Sequence, residues 1–146
     1  MSKRLFQFGG AAMVMGSFLG CGSGAAPTGS DSFPVERLML VATDSGRQNV
    51  EVRTAPDQPP SRGNVSMQWS ITDATSGEAQ TGLELKVVPW MPAMGHGTTV
   101  PPRVVEASPG IYEIRNLYLF MPGTWQIRTD LVGASTDHVL PTFEIR

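Results

Sequence analysis

Val65-Ser66-Met67-Gln68-Trp69-Ser70-Ile71 is the clearest strand pattern of the chain, because apolar and polar side chains alternate along it without a break. A period of two is typical of a β-strand with one face in the core and the other in solvent. Thr75-Ser76-Gly77 follows it, a combination that favours a turn. Residues 65–71 are therefore predicted to form a half-buried strand, which needs partner strands on either side.

Short segments of similar character flank this strand and are separated by clusters of Gly, Pro, Asp and Ser. They are residues 38–43, 50–54, 83–87, 103–107, 111–119, 125–129 and 139–145. In the segment 111–119, Tyr112 and Ile114 are predicted to face inward. The strand at 83–87 is expected to end near Pro89, and Pro141 is expected to place the last strand at a sheet edge.

No segment beyond the N-terminal leader shows a helical period, and 12 prolines with 16 glycines disfavour long helices. Several short strands at this spacing predict an all-β fold. We expect an Ig-like antiparallel β-sandwich rather than a closed barrel.

The N-terminus is typical of a secretory signal. Lys3 and Arg4 precede an apolar run, 5–19, that is shorter than a membrane span needs. The run ends at Phe18-Leu19-Gly20-Cys21, which resembles the bacterial lipobox, with Cys21 as the lipidated new N-terminus. The alternative is that Cys21, the only cysteine of the chain, is a free cysteine buried in a globular core.

The chain is accordingly predicted to contain three parts: a lipoprotein signal peptide (1–20), the lipidated cysteine with a flexible tether rich in Gly, Ser and Pro (21–34), and one β-sandwich domain (35–146). This organisation predicts a protein of the bacterial cell envelope that faces the periplasm and is attached to a membrane through the lipid on Cys21. Gly22 stands where an Asp often signals inner-membrane retention, which favours the outer membrane.

Charge and composition argue against several classes of function. The formal net charge is −2, and removal of Lys3 and Arg4 makes the chain more acidic, so nucleic acid is not an expected partner. With Cys21 lipidated, no thiol nucleophile remains. No phosphate-binding loop rich in Gly and Lys is present either. We therefore expect a protein that is not an enzyme.

The chemistry of the chain is concentrated in Trp90-Met91-Pro92-Ala93-Met94-Gly95-His96-Gly97. Met91, Met94 and His96 offer two thioethers and an imidazole within six residues, the donors that Cu(I) prefers. Zinc fits less well, because its protein sites use thiolate, imidazole or carboxylate. Gly95 and Gly97 allow a bent loop that turns the three side chains toward one point.

A fourth donor is expected from Met121, in the turn Phe120-Met121-Pro122-Gly123, since loops at one end of a sandwich converge. His138 is a weaker candidate. The alternative is that Met91, Met94 and His96 form a packed turn without metal and that Met121 fills the core, since Met is a flexible core residue.

Three elements of the second half resemble the YtkA-like/FixH-like family of small bacterial extracytoplasmic domains. They are the Met/His loop at 90–97, Gly110-Ile111-Tyr112, and Phe120-Met121-Pro122-Gly123-Thr124-Trp125, in that order. The resemblance implies an Ig-like β-sandwich and a link to copper handling, because FixH-type proteins are associated with haem–copper oxidase assembly. It carries over Met91, Met94, His96 and Met121 as copper ligands. A lipobox replaces the membrane helix that FixH retains.

The expected function is therefore binding of Cu(I) for copper carriage or buffering, with another copper protein or an envelope protein as partner. The alternative is an envelope interaction or structural module that binds no metal.

Overall fold

The computed structural model describes residues 32–146, which form ten β-strands joined by turns. In chain order they are β1 Met39–Ala42, β2 Gln48–Ala55, β3 Gly63–Asp73, β4 Glu84–Met91, β5 His96–Gly97, β6 Arg103–Ser108, β7 Ile111–Leu119, β8 Gly123–Val132, β9 Thr136–Val139 and β10 Thr142–Ile145. No helix in this range is long or apolar enough to cross a membrane. The predicted signal peptide (1–20), Cys21 and most of the tether (21–34) lie outside the described residues.

The strands form two antiparallel sheets. The front sheet has the order β1-β2-β3-β7-β6, and the back sheet has the order β10-β8-β4-β5, with β9 also paired to β8. Apolar side chains from both sheets form one buried cluster. The prediction of an all-β antiparallel sandwich is confirmed.

The core follows the alternation that the sequence shows. On β3 the inward residues are Val65, Met67, Trp69 and Ile71, all at most 2 % exposed. Trp125, Ile127 and Leu131 of β8 are buried in the same cluster. On β3 and β8 the buried side chains alternate because successive residues of a strand point to opposite faces of the sheet.

A β-bulge in β7 changes which residues face the core. Tyr112 and Ile114 are buried, as predicted, but the register against β3 then shifts, and the next buried side chains are Leu117 and Leu119. Asn116 lies in the bulge with a φ of 63°, a left-handed conformation that Asn tolerates better than most residues. The extra residue turns the side chain of Tyr118 away from the core.

Pro89 and Pro141 affect the strand bounds differently from the expectations, although the last strand, β10, does lie at an edge of the back sheet, as Pro141 predicts. β4 does not end near Pro89 but continues to Met91, with Pro89 paired to Ile127. Proline fits there because its backbone faces away from β8, on the side where β5 pairs only with Trp90 and Met91, so the missing N–H breaks no ladder bond. The predicted strand 139–145 is two strands, β9 and β10, divided at Pro141, whose carbonyl still accepts a hydrogen bond from Ile127 N at 2.8 Å.

The loop that crosses from the front to the back sheet, residues 74–83, is held by two side chains. The Tyr112 hydroxyl donates to Gln80 O at 2.8 Å and accepts from Leu83 N at 3.0 Å. The Glu106 carboxylate accepts from Gly110 N and Gly82 N, each at 3.0 Å, and these bonds lower the pKa of Glu106. The start of β4 is thereby fixed against β6 and β7.

Candidate functional site

The predicted Met/His loop is a tight hairpin rather than an open loop. β4 and β5 pair through Trp90–Gly97 and Met91–His96, and residues 92–95 form the turn between them. Met91 O accepts hydrogen bonds from Met94 N at 3.1 Å and from Gly95 N at 3.0 Å. The sequence alone does not reveal β5, since a strand of two residues shows no alternation.

The two glycines of the hairpin have different roles. Gly95 has a φ of 68°, in the left-handed region, as a tight turn of this length requires. Gly97 is needed for close approach instead, because a Cβ there would lie 2.2 Å from Pro89 O. Gly97 therefore lets β5 lie directly against β4 and fixes where His96 is presented.

The register places Met91 and His96 side by side on one face of the hairpin, because directly opposed residues of an antiparallel pair share a face. Met91 is only 4 % exposed and belongs to the core cluster. Its methyl group lies at the β7–β8 turn, where a Cβ on Gly123 would be 2.7 Å from Met91 Cε. The thioether end of Met91 thus points to the turn that carries Met121.

His96 and Met121 line the same open cavity, of about 470 Å³, at one end of the sandwich. Its other walls are Tyr118, Phe120, Trp125 and the segment 97–100. The Tyr118 and Phe120 rings stack with their centroids 5.7 Å apart. Two loops that are distant in the sequence therefore meet in one cavity, which is the convergence that the sequence predicts for His96 and Met121.

The backbone of the β7–β8 turn is held by an indole. Trp125 Nε1 donates to Met121 O at 2.9 Å, and the Trp125 side chain is only 2 % exposed. Met121 itself is partly buried and packs against the core cluster. The position of the Met121 backbone is therefore set by a core residue, and Met121 also lines the cavity.

Met94 and His138 lie elsewhere. Met94 occupies the β4–β5 turn with 52 % of its surface exposed, and it is not among the described residues that line the cavity. His138 is opposite Asp130 on β8, and its Nδ1 lies 2.8 Å from Asp130 Oδ1. Five residues of strand, about 17 Å, separate Asp130 from Trp125, so His138 is remote from the cavity.

His96 is free to accept a ligand through one ring nitrogen. The imidazole is exposed, and Nδ1 lies 3.1 Å from Gly97 O, which leaves Nε2 without a partner among the described residues. No group of three His, Cys, Asp or Glu side chains in residues 32–146 is arranged to hold a metal ion. A metal at this cavity would therefore depend on thioether sulfur together with the single imidazole.

The aromatic walls of the cavity could not be predicted from the Met/His loop. Tyr118 and Phe120 reach the cavity because the bulge at Asn116 reverses the facing of β7. Trp90, by contrast, is on the other face of β4 from Met91, where the Arg128 guanidinium lies 4.6 Å from its ring centroid. A one-residue irregularity inside a strand leaves no signal in the sequence pattern, and only the pairing reveals it.

Comparison with known proteins gives a family. A family model described as YtkA-like matches residues 44–130, which is more than half of the chain and spans β2 to most of β8, including the cavity. No curated protein and no solved structure matches the chain.

Proposed function

Since the chain belongs to the YtkA-like family, we propose that it is a lipid-anchored extracytoplasmic domain that binds Cu(I) at the cavity lined by His96 and Met121. The observation that carries the proposal is that His96 and Met121 line one cavity. The protein would carry or buffer copper rather than catalyse a reaction.

The donor set fits the chemistry of Cu(I). Thioether sulfur carries no charge and needs no deprotonation, so it holds Cu(I) and discriminates against hard cations. His96 Nε2 and the Met121 sulfur would be the two donors from residues that line the cavity. Met91 is buried and does not line it, so its sulfur would have to join from the core side, next to His96 in the hairpin register. Met94, in the adjoining turn, would have to turn its side chain over the cavity to join them.

The proposed attachment follows from the N-terminus. Cleavage before Cys21 and lipidation of its thiol would leave the sandwich on a short tether at the periplasmic face. The outer membrane is favoured because Gly22 stands where an Asp often signals inner-membrane retention. Another copper protein or an envelope protein would then exchange metal with the cavity. Mass spectrometry of the membrane-extracted protein tests this part, since an acylated N-terminal peptide beginning at Cys21 is expected.

The copper proposal is tested by titrating the purified chain with Cu(I) under reducing conditions. We expect one Cu(I) per chain, and a loss of affinity in the variants His96→Ala and Met121→Leu. His138→Ala is the matched control, because it removes the other histidine of the chain from a place remote from the cavity. Binding that is unchanged in a Met121→Leu/His96→Ala double variant would overturn the assignment of this site.

A second function, an envelope interaction module that binds no metal, is favoured by the exposed apolar walls of the same cavity. Phe120 and Val100 are 57 % and 44 % exposed, and exposed apolar groups around a cavity are typical of contact surfaces. This function predicts that the purified chain retains no copper. It also predicts that a photo-crosslinking residue at position 120 captures one defined envelope protein in cells, whether copper is supplied or withheld.

A further inference from the structure

One edge of the back sheet is left open for most of its length. β8 pairs with β4 from Glu84 to Trp90 on one side, whereas β5 covers only Trp90 and Met91 on the other. No other strand among residues 32–146 pairs with β4. An unpaired strand edge is a template for pairing with another chain.

The direction in which the backbone N–H and C=O groups of β4 point identifies those that are unpaired at its open edge. Met91 O accepts hydrogen bonds from the turn to β5, and Pro89 O faces Gly97 of β5, so carbonyls of odd-numbered residues point away from β8. Alternate residues of a strand point their N–H and C=O groups to the same side. Leu85 and Val87 therefore present backbone donors and acceptors at the open edge, and Pro89, which has no N–H, limits it.

The charges on this strand complement a second copy of the same strand. Glu84 and Lys86 flank Leu85 on the outward face, both are exposed, and neither forms an ion pair within the described residues. In an antiparallel pair of two β4 strands centred on Leu85, Glu84 of each copy lies opposite Lys86 of the other. Oppositely charged residues that face each other across strands attract.

Other registers are excluded by charge and by space. Centring the pair on Lys86 would place the two lysines opposite each other. Centring it on Val87 would place Glu84 of the second copy opposite Trp90, where Gly97 already lies. When the pair is centred on Leu85, the last residue of the second copy along the edge is Leu83, which lies opposite Val87. The chain of the second copy leaves the edge there, because Leu83 N is bonded to the Tyr112 hydroxyl.

We infer that this edge is a self-association surface, at which two copies of the chain pair β4 with β4 about a two-fold axis at Leu85. The two back sheets then form one continuous sheet. A two-fold axis makes every contact occur twice, so two Glu84–Lys86 pairs form for each dimer. The cavity lined by His96 and Met121 lies outside the paired region, because none of its lining residues belongs to residues 83–87.

The test measures the dimer dissociation constant of the full chain, in detergent, by sedimentation equilibrium. Wild type is expected to dimerise reversibly and more weakly at high salt, since exposed ion pairs are screened. Lys86→Glu and Glu84→Lys should each raise the dissociation constant at least tenfold, because two attractive pairs become repulsive. The double variant Glu84→Lys/Lys86→Glu should restore dimerisation, since it exchanges the charges without removing the complementarity.

Glu78→Lys is the matched control, because it makes the same charge change on an exposed residue outside β4 and should leave the dissociation constant unchanged. Amide hydrogen exchange locates the interface: the backbone amides of Leu85 and Val87 should exchange more slowly as the dimer forms. The inference is overturned if wild type stays monomeric at every concentration. It is equally overturned if the single charge variants behave like Glu78→Lys, or if the double variant is no better than either single one.

Discussion

Met91 and His96 are direct partners in the β4–β5 pair, yet one side chain lies in the hydrophobic core and the other at an open cavity. Both side chains project from the same face of the back sheet. β4 is an interior strand of the back sheet, whereas β5 is its edge strand. The pair thus joins the packing of the sandwich to the proposed copper site.

Replacing Met91 by Leu separates these two roles. The two side chains have similar volume, so the free energy of unfolding should change by less than about 1.5 kcal/mol. The affinity for Cu(I) should fall by about tenfold or more, because the thioether is lost. Met67→Leu, at a fully buried position of β3, is the control and should leave Cu(I) binding intact. Equal Cu(I) affinity in both variants would show that Met91 serves the core alone.

Gly97→Ala should displace His96. The new Cβ would lie 2.2 Å from Pro89 O, a backbone atom that cannot move without the strand, so β5 must separate from β4 at a cost of about 1–3 kcal/mol. Gly77→Ala is the control: Gly77 lies in the loop between β3 and β4, at a φ of 75° where alanine is strained, but no atom lies within 4 Å of the new Cβ. NMR should show altered His96 ring signals only in Gly97→Ala, and unaltered signals there would contradict the proposed close approach.

The bulge in β7 makes a prediction about Asn116. A β-branched residue at a φ of 63° is strained, so Asn116→Val should destabilise the fold by about 1–2 kcal/mol. Asn116→Gly should cost less, since glycine adopts this conformation freely. Denaturant unfolding of the two variants measures the difference. A valine variant as stable as the glycine variant would mean that the left-handed residue is not needed.

Tyr112→Phe tests how firmly the crossing loop is held. The variant removes both hydrogen bonds of the hydroxyl, to Gln80 O and from Leu83 N, and should cost about 1–3 kcal/mol of unfolding free energy. Tyr118→Phe is the matched control, because the Tyr118 hydroxyl makes no hydrogen bond among the described residues, and it should stay within about 0.5 kcal/mol of wild type. Similar losses in the two variants would refute the role of Tyr112.

Asp137 is expected to contribute to the loss of stability at low pH. Burial raises the pKa of this carboxyl, but hydrogen bonds from Ser45, Thr43 and the His138 N–H outweigh it, so the pKa falls from 3.8 to about 2. A carboxyl with a lowered folded-state pKa stabilises the fold above its unfolded-state pKa, and this stability is lost as the pH falls toward the folded value.

Wild type should therefore lose about 2 kcal/mol through Asp137 between pH 4 and pH 2. Asp137→Asn should be less stable at neutral pH and should lack this part of the acid dependence, as measured by urea unfolding at a series of pH values. Asp44→Asn removes an exposed carboxyl of the neighbouring β1–β2 turn and should keep the wild-type profile. An unchanged acid limb in Asp137→Asn would contradict the hydrogen-bonded carboxylate.

The fold class and most of the strands could be predicted from the amino-acid sequence alone. The alternation from Val65 to Ile71, the inward Tyr112 and Ile114, and the turn residues between segments were enough to predict an all-β sandwich, because period two and turn chemistry are local properties. The sequence also predicted that Met91, Met94, His96 and Met121 converge; of these four, His96 and Met121 line one cavity, whereas Met91 and Met94 do not.

How those elements meet depends on the tertiary structure. The continuation of β4 through Pro89 depends on its backbone facing away from β8, and the pairing of His96 with Met91 depends on a strand of two residues. The outward turn of Tyr118 depends on a bulge at Asn116. Each is a matter of register between segments distant in the chain, and register is fixed by packing across sheets rather than by the residues of one segment.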